Sequence, residues 1–302
     1  MAALAAFLLT GIGLASSGAV GVSQAGDAPA GFWYGTDSAY MSVAGSGPFQ
    51  EPVIGGSYGG YIGMIGSWEW WLGCPGRFLA WSRVNSIEAD VNLARYRRGV
   101  GTGAYWFMGG PGVDPGYDGS LREAYAWGAR QAARALSDIQ KLPASEHVSY
   151  PVLWMDIELP QIPPASDNGW DSVYTSPCSG RVRQAYVPAA VDRADFNGFW
   201  DYVSARSSYR PGVYSAPAIW TRIFGSGGAA LIPGTYEWTY EPESAQVDRA
   251  PLGWCLKGGG CAQFFGGQTS GSQHAVMWQF SGGGGVRNGY GDFDQIDAAR
   301  IP

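Results

Sequence analysis

Charge is scarce in this sequence. Asp, Glu, Lys and Arg make up 15% of its 302 residues, and acids exceed bases to leave a net charge of −6. Arg95, Arg97 and Arg98 are the basic cluster of the chain. That is too little for the basic footprint a nucleic acid needs. Histidine occurs twice, at His147 and His274, and neither stands at ligand spacing from a cysteine. No zinc site, no other metal and no cofactor is expected. There is no internal repeat and no Pro/Ser linker, so residues 26–302 read as a single domain.

Aromatics are plentiful. They reach 14% of the chain, with 14 tryptophans. This is a globular composition rather than a disordered one. Core packing accounts for most aromatics in most proteins. Rings stacked on sugar faces would account for a surplus.

Residues Met1–Ala25 are small and apolar and end in Ser23-Gln24-Ala25. They resemble a secretory signal peptide, although no Lys or Arg opens the segment. An uncleaved anchor is the alternative. Export would suit the four cysteines, which then form disulfides. Cys255 and Cys261 flank a Gly-rich loop and are expected to pair, leaving Cys74 for Cys178.

The organising stretch runs from Pro151 to Glu158, PVLWMDIE. A short apolar run bounded by prolines reads as a buried parallel strand. Side chains alternate along a strand, so Asp156 and Glu158 share a face, about 6.6 Å apart along the backbone. Two acids held together and partly buried push one carboxyl pKa upward. A protonated acid beside an ionised one is an arrangement for acid catalysis.

Taken in order, the first strand is Phe32–Asp37. A Gly- and Ser-rich excursion over Ser38–Gly76 follows, with hairpin-like pieces at Tyr58–Tyr61 and Met64–Trp71. Phe78–Trp81 reads as the second strand. A helix follows from the Asn85–Glu88 capping box to Gly99. Gly103–Phe107 is the third strand. Ser120 opens a long helix with Leu121, Tyr125, Ala129, Ala132, Leu136 and Ile139 on its inner face. The organising strand is fourth, with an insertion over Leu159–Pro188 behind it. Asp195 then reads as the cap of a helix that turns Phe196, Phe199, Trp200 and Val203 inward. Gly212–Ser215 is the fifth strand. Three strands with little helix close the chain: Tyr236–Tyr240, Ala262–Phe265 and Val276–Phe280. Alternating strands and helices imply a parallel sheet. Eight strands, with full helices only early, imply an irregular α/β barrel of the TIM type.

Chemistry in a parallel barrel sits at the carboxyl ends of the strands. Those ends supply Asp37, Tyr105, Phe107, Asp156, Glu158, Tyr214, Trp238, Tyr240, Glu241, Trp278 and Gln279, followed by Asp292 and Asp294. Acids ringed by aromatics suit glycoside hydrolysis, where carboxylates protonate the leaving oxygen and stabilise a cationic sugar. The candidate catalytic residues are Glu158, Asp156, Asp37 and Asp294. The candidate sugar-binding residues are Tyr105, Tyr214, Trp238, Trp278 and Gln279.

The order of these motifs resembles the glycoside hydrolase family 25 lysozymes, the Chalaropsis-type N-acetylmuramidases. The shared features are Gly35-Thr36-Asp37, Gly103-Ala104-Tyr105-Trp106-Phe107, Met155-Asp156-Ile157-Glu158, Gly212-Val213-Tyr214, Met277-Trp278-Gln279-Phe280 and Phe293-Asp294. The resemblance implies a flattened barrel of five βα units followed by three bare strands. It implies Glu158 as proton donor, Asp156 as its partner on the acetamido group or the cation, and Asp37 and Asp294 as flanking acids. The expected partner is peptidoglycan or a related glycan, met outside the cell or at the wall by a monomer with no stable membrane insertion. The sequence departs from the family at Asp37-Ser38-Ala39 and Asp294-Gln295-Ile296, and its two insertions are large. A chitinase is disfavoured, because Trp154 stands where that family places another acid. A non-catalytic glycan-binding protein on the same barrel is the alternative.

Overall fold

β5 (Val152–Asp156) shows how the fold is built. All five residues are buried. Leu153 and Met155 point outward into a core shared with helices, while Val152 and Trp154 point into a second core inside the barrel. Burial on both faces explains why the strand is apolar without alternation. The computed structural model describes residues 32–38, 58–68, 78–80, 101–140, 151–159, 168–170, 187–225, 235–240, 275–281, 292–297 and 301. The leader, all four cysteines, the expected helix after Asn85 and the expected strand Ala262–Phe265 lie outside them.

The remaining strands are β1 (Phe32–Ser38), β2 (Tyr58–Trp68), β3 (Phe78–Ala80), β4 (Gly101–Phe107), β6 (Arg210–Ser215), β7 (Tyr236–Tyr240), β8 (Met277–Ser281) and β9 (Asp292–Asp297). They run β1-β9-β8-β7-β6-β5-β4-β2, and β2 pairs back onto β1. The wall is therefore a closed barrel of eight strands. Seven are parallel, and β9 is antiparallel to both neighbours. Among the described residues, no helix separates β7, β8 and β9. The expected irregular barrel, with helices early and bare strands late, is the observed fold.

Two strands differ from expectation. The second wall strand is β2, not Phe78–Trp81. β3 is a three-residue strand paired antiparallel to Gly66–Trp68, beyond the stretch of β2 that β1 covers. Glycine is depleted from strands, so YGGYIGMIGSW looked like a loop. Here small residues make room for large ones across the wall. A Cβ on Gly103 would come within 2.4 Å of Ile62 Cδ1. The second difference is β9, which follows β8 as a strand of its own and carries Asp292 and Asp294 back into the barrel mouth.

Three described helices cover the outer face: α1 (Leu121–Gln140), α2 (Ala189–Arg206) and α3 (Pro217–Phe224). Ser120 Oγ accepts the Glu123 N–H at 3.1 Å and caps α1 as expected. The inner face of α1 is rotated from the expected one. Ala132, Leu136 and Ile139 are buried, but Leu121 and Tyr125 are exposed, and Trp127, Gly128 and Gln131 take the inner positions. The reason is the contact with α2. A Cβ on Gly128 would lie 1.9 Å from the Asp195 carbonyl oxygen, so the two helix backbones touch there.

Asp195 is not a helix cap. α2 starts at Ala189, which leaves Asp195 in the buried interface, and neither carboxyl oxygen has a hydrogen-bond partner. Burial pushes its pKa well up, Asp114 adds to the rise, and Arg130 opposes it. The folded state thus keeps this proton to a higher pH than the unfolded chain. Its contribution to stability is complete below the unfolded carboxyl range near about pH 4 and is lost as pH rises through the folded value. Asp195→Asn should raise the melting midpoint at neutral pH and change it little in acid. Melting curves at the two pH values check this, and equal shifts at both would exclude titration as the cause.

Candidate active site

The interior of the barrel is stratified. Ile62, Met64, Val152, Trp154, Met277 and Ile296 fill its lower layers. Above them, at the carboxyl ends of the parallel strands, the inward side chains become polar. Asp37, Asp156, Gln279 and Asp294 are buried there, and Glu158 and Asp292 are half-buried at the rim. β9 contributes from its amino end because it runs the other way.

Trp238 is the hub. It is 1% exposed and meets Tyr214, Trp154 and Tyr105 at ring distances of 4.6, 5.6 and 6.3 Å. Its indole N–H donates to Asp294 Oδ1 at 2.9 Å. Trp238 is thus a floor beneath the acids, not an open stacking face.

A line of hydrogen bonds crosses the mouth. Tyr214 Oη donates to Gln279 Oε1, and Gln279 Nε2 donates to Asp37 Oδ2 at 2.9 Å. Asp37 is in turn hydrogen-bonded to Asp294, and Tyr214 to Glu158. The bond from Tyr214 favours the ionised form of Glu158, so the proton on Glu158 is held by burial and not by this line.

Burial raises Glu158 to about 7, with Asp292 adding to the rise and the Tyr214 bond opposing it. Burial, then Glu158, then Asp292 push Asp156 well up, and one of its oxygens, Oδ1, has no partner. Asp37 is pushed up by burial and by Asp294. Burial also raises Asp294, against the Trp238 and Asp37 bonds, which favour its ionised form. Asp37 and Asp294 thus form a coupled carboxyl pair, both pushed up by burial.

The backbone that carries Glu158 is held firmly. Met108 N–H donates to Asp156 O at 2.9 Å, and Ile157 N–H to Tyr214 O at 3.0 Å. Ser215 Oγ donates to Ile157 O at 2.8 Å, and Asn168 Nδ2 to Glu158 O at 3.0 Å.

Of the sequence-derived candidates, the barrel brings together Glu158, Asp156, Asp37, Asp294, Tyr105, Tyr214, Trp238 and Gln279. It does not bring Trp278 to them. Trp278 alternates with Met277 and Gln279 and so lies on the other face of β8, its ring 5.6 Å from Phe280. Trp278→Ala should cost about 3 kcal/mol or more of stability, as for other buried tryptophans. Titration of the folded variant with a wall oligosaccharide should give an unchanged affinity, and a large loss would put Trp278 back in the cleft. Four residues that strand-end counting reached were left out of the candidate set: Phe107, Tyr240, Asp292 and Glu241, the last of which lies outside the described residues. Tyr240, half-buried, shares the inward face of β7 with Trp238, and Asp292 shares that of β9 with Asp294. Among the described residues, no three His, Cys, Asp or Glu side chains are grouped to hold a metal ion.

No protein-family model and no curated protein sequence matches the chain. Solved structures do. The Clostridium perfringens spore cortex lytic enzyme SleM superposes with a TM-score of 0.54 at 14% identity, covering 89% of this chain and 68% of that one. The bacterial lysozyme from Streptomyces coelicolor gives 0.49 at 18% identity, covering 89% and 94%. A family GH25 lysozyme from Aspergillus fumigatus gives 0.44 at 14%, covering 88% and 93%. The barrel of this chain is the fold of SleM.

Proposed function

We propose that the chain is a glycoside hydrolase of the family 25 type, a lysozyme-like muramidase that cuts the glycan strands of peptidoglycan. The observation that carries this reading is the Asp156–Glu158 pair at the carboxyl end of β5. It lies in a mouth lined by Asp37, Asp292 and Asp294, on a barrel shared with a spore cortex lytic enzyme.

Glu158 donates its proton to the glycosidic oxygen. It stands at the rim, where a bound strand can reach it, whereas Asp156 lies deeper. Its proton state suits the task, since a donor should titrate near the working pH. As the bond breaks, positive charge grows on the sugar ring, and Asp156 faces it. The unpartnered Oδ1 of Asp156 is an acceptor for an acetamido N–H of the substrate. Such a bond favours the ionised form and leaves the shared proton on Glu158. Asp37 and Asp294 flank this pair and, with Gln279 and Tyr214, hold the line that orients it.

Digestion of purified peptidoglycan, with mass analysis of the fragments, tests the reading. Fragments with new reducing ends support it. The departures around Ser38 and Gln295 favour a second reading, a protein that binds wall glycan without cutting it. Retention on walls with no fragment released is its signature. Export through Met1–Ala25 and a monomeric state complete the proposal. No described helix is long and apolar enough to cross a membrane.

A further inference from the structure

The insertion over Leu159–Pro188 has no place in the reaction proposed above, yet Asn168, Gly169 and Trp170 within it are anchored to the barrel. All three are buried in a tight turn. Asn168 and Gly169 take left-handed backbone, with φ of 55° and 79°. The Asn168 carbonyl accepts the Gly110 N–H at 2.7 Å, and the Gly169 carbonyl accepts the Gly112 N–H at 2.9 Å. The two segments touch. A Cβ on Gly110 would lie 2.5 Å from Gly169 O, and a Cβ on Gly169 would lie 2.5 Å from Val113 N. Trp170 is fully buried, its ring 5.9 Å from that of Phe224 in α3. The loop that receives the turn is itself fixed from α1. Gln131 binds the N–H and the carbonyl of Gly109 at 2.9 and 2.7 Å, and the Trp127 indole N–H donates to the same carbonyl at 2.7 Å.

We propose that Asn168 is a positioning residue, the tip of a strut that runs from α1 through Gly109, Gly110 and the turn to the backbone of Glu158. Its Nδ2 donates to the Glu158 carbonyl at 3.0 Å. The side chain is 2% exposed, and its Oδ1 has no hydrogen-bond partner. A buried amide with one end unpaired is costly. Glycine would serve a left-handed turn without that cost. What asparagine adds is the bond to Glu158. The place of that bond matters. β5 ends at Asp156, so Glu158 lies past the strand. Tyr214 O and Ser215 Oγ hold the N–H and the carbonyl of Ile157. Asn168 takes the next carbonyl along, that of the acid itself. A misplacement of about 1 Å in a reacting group can cost about 10²-fold in rate, so a firm mount for the proton donor has value. The inference rests on the hydrolase reading for its purpose, and its test has an arm that does not.

Asn168→Gly removes the bond and keeps the backbone conformation. Asn168→Ala is a second variant without the donor. Trp170→Phe loosens the same turn and leaves the Asn168 bond in place. Amide hydrogen exchange reads the mount. In Asn168→Gly the Ile157 amide should exchange at least ~10-fold faster relative to the amides of β4, whereas Trp170→Phe should speed both alike. Kinetics on soluble glycan-strand fragments read the consequence. Asn168→Gly should lower kcat about tenfold with KM kept within about twofold, and Trp170→Phe should keep wild-type kcat below its melting midpoint. An unchanged relative exchange at Ile157 overturns the proposal. So does an unchanged kcat, a loss confined to KM, or loss of fold in both Asn168 variants, which would make the role one of stability alone. If the wild type cuts no glycan, the hydrolase reading fails, and the exchange still decides whether Asn168 holds the backbone of Glu158.

Discussion

Glu158→Gln should lose at least ~100-fold in the release of soluble fragments from peptidoglycan while the protein stays folded. Glutamine has the shape of the protonated acid and can still meet Tyr214, so the line of hydrogen bonds through Gln279 to Asp37 should survive. What it lacks is a proton to give. General acid catalysis contributes ~10²–10⁴ in rate, which sets the size of the loss. The pH profile adds a second readout. Glu158 titrates near about 7, and donation needs the protonated form, so wild-type activity should fall as pH rises through neutrality. In Glu158→Gln the residual activity should lose that limb. Near-UV circular dichroism checks the fold, and fragment release across pH checks the chemistry. A variant that keeps wild-type turnover would move the search for the acid to Asp37 or Asp294.

The placement of Glu158 at the barrel mouth was legible in the sequence because β5 obeys simple rules. It is bounded by Pro151, apolar on both faces and ends in two acids at a spacing of two. The barrel class was legible for the same kind of reason, since strand and helix patterns alternate in the sequence up to Phe224 and no long amphipathic stretch follows. Other parts resisted. β2 hid behind its glycines, and the close packing of this wall becomes visible only where Gly103 of β4 meets Ile62 of β2. The reversal of β9 left no local mark, so Asp292 and Asp294 read as residues after a strand rather than in one. Trp278 was placed in the cleft by its nearness to a strand end. Parity along β8 overrules that, because Gln279 faces inward. The inner face of α1 was misjudged over its first two turns, where a backbone contact at Gly128 outweighs the apolar side chains of Leu121 and Tyr125. In each case a partner distant in sequence decided the outcome.

Asp156→Asn should also be severe, with a loss of about 10²–10³ in turnover, but for an electrostatic reason. Asp156 is 6% exposed, and its Oδ1 meets no donor in the resting site. Burial, Glu158 and Asp292 all resist its ionisation, so the resting pair retains protons well above the usual carboxylate range. The competent state is the one in which the pair has lost a single proton and Glu158 holds the other. Two coupled carboxyls titrate as a unit, and loss of that first proton gives wild-type activity an acidic limb. Asparagine keeps the acceptor oxygen and the volume, so substrate binding should change far less than turnover. It cannot carry negative charge toward the cationic sugar, and it cannot titrate. The profile of Asp156→Asn should therefore change from a bell to a single descending limb set by Glu158, at much reduced height. The measurement is fragment release by wild type and variant from mildly acid to alkaline pH, alongside oligosaccharide affinity. A variant that retains both turnover and the acidic limb would show that the charge facing the sugar comes from elsewhere in the ring of acids. The Asp37–Asp294 pair, tied to Trp238 and Gln279, would then be the group to substitute next.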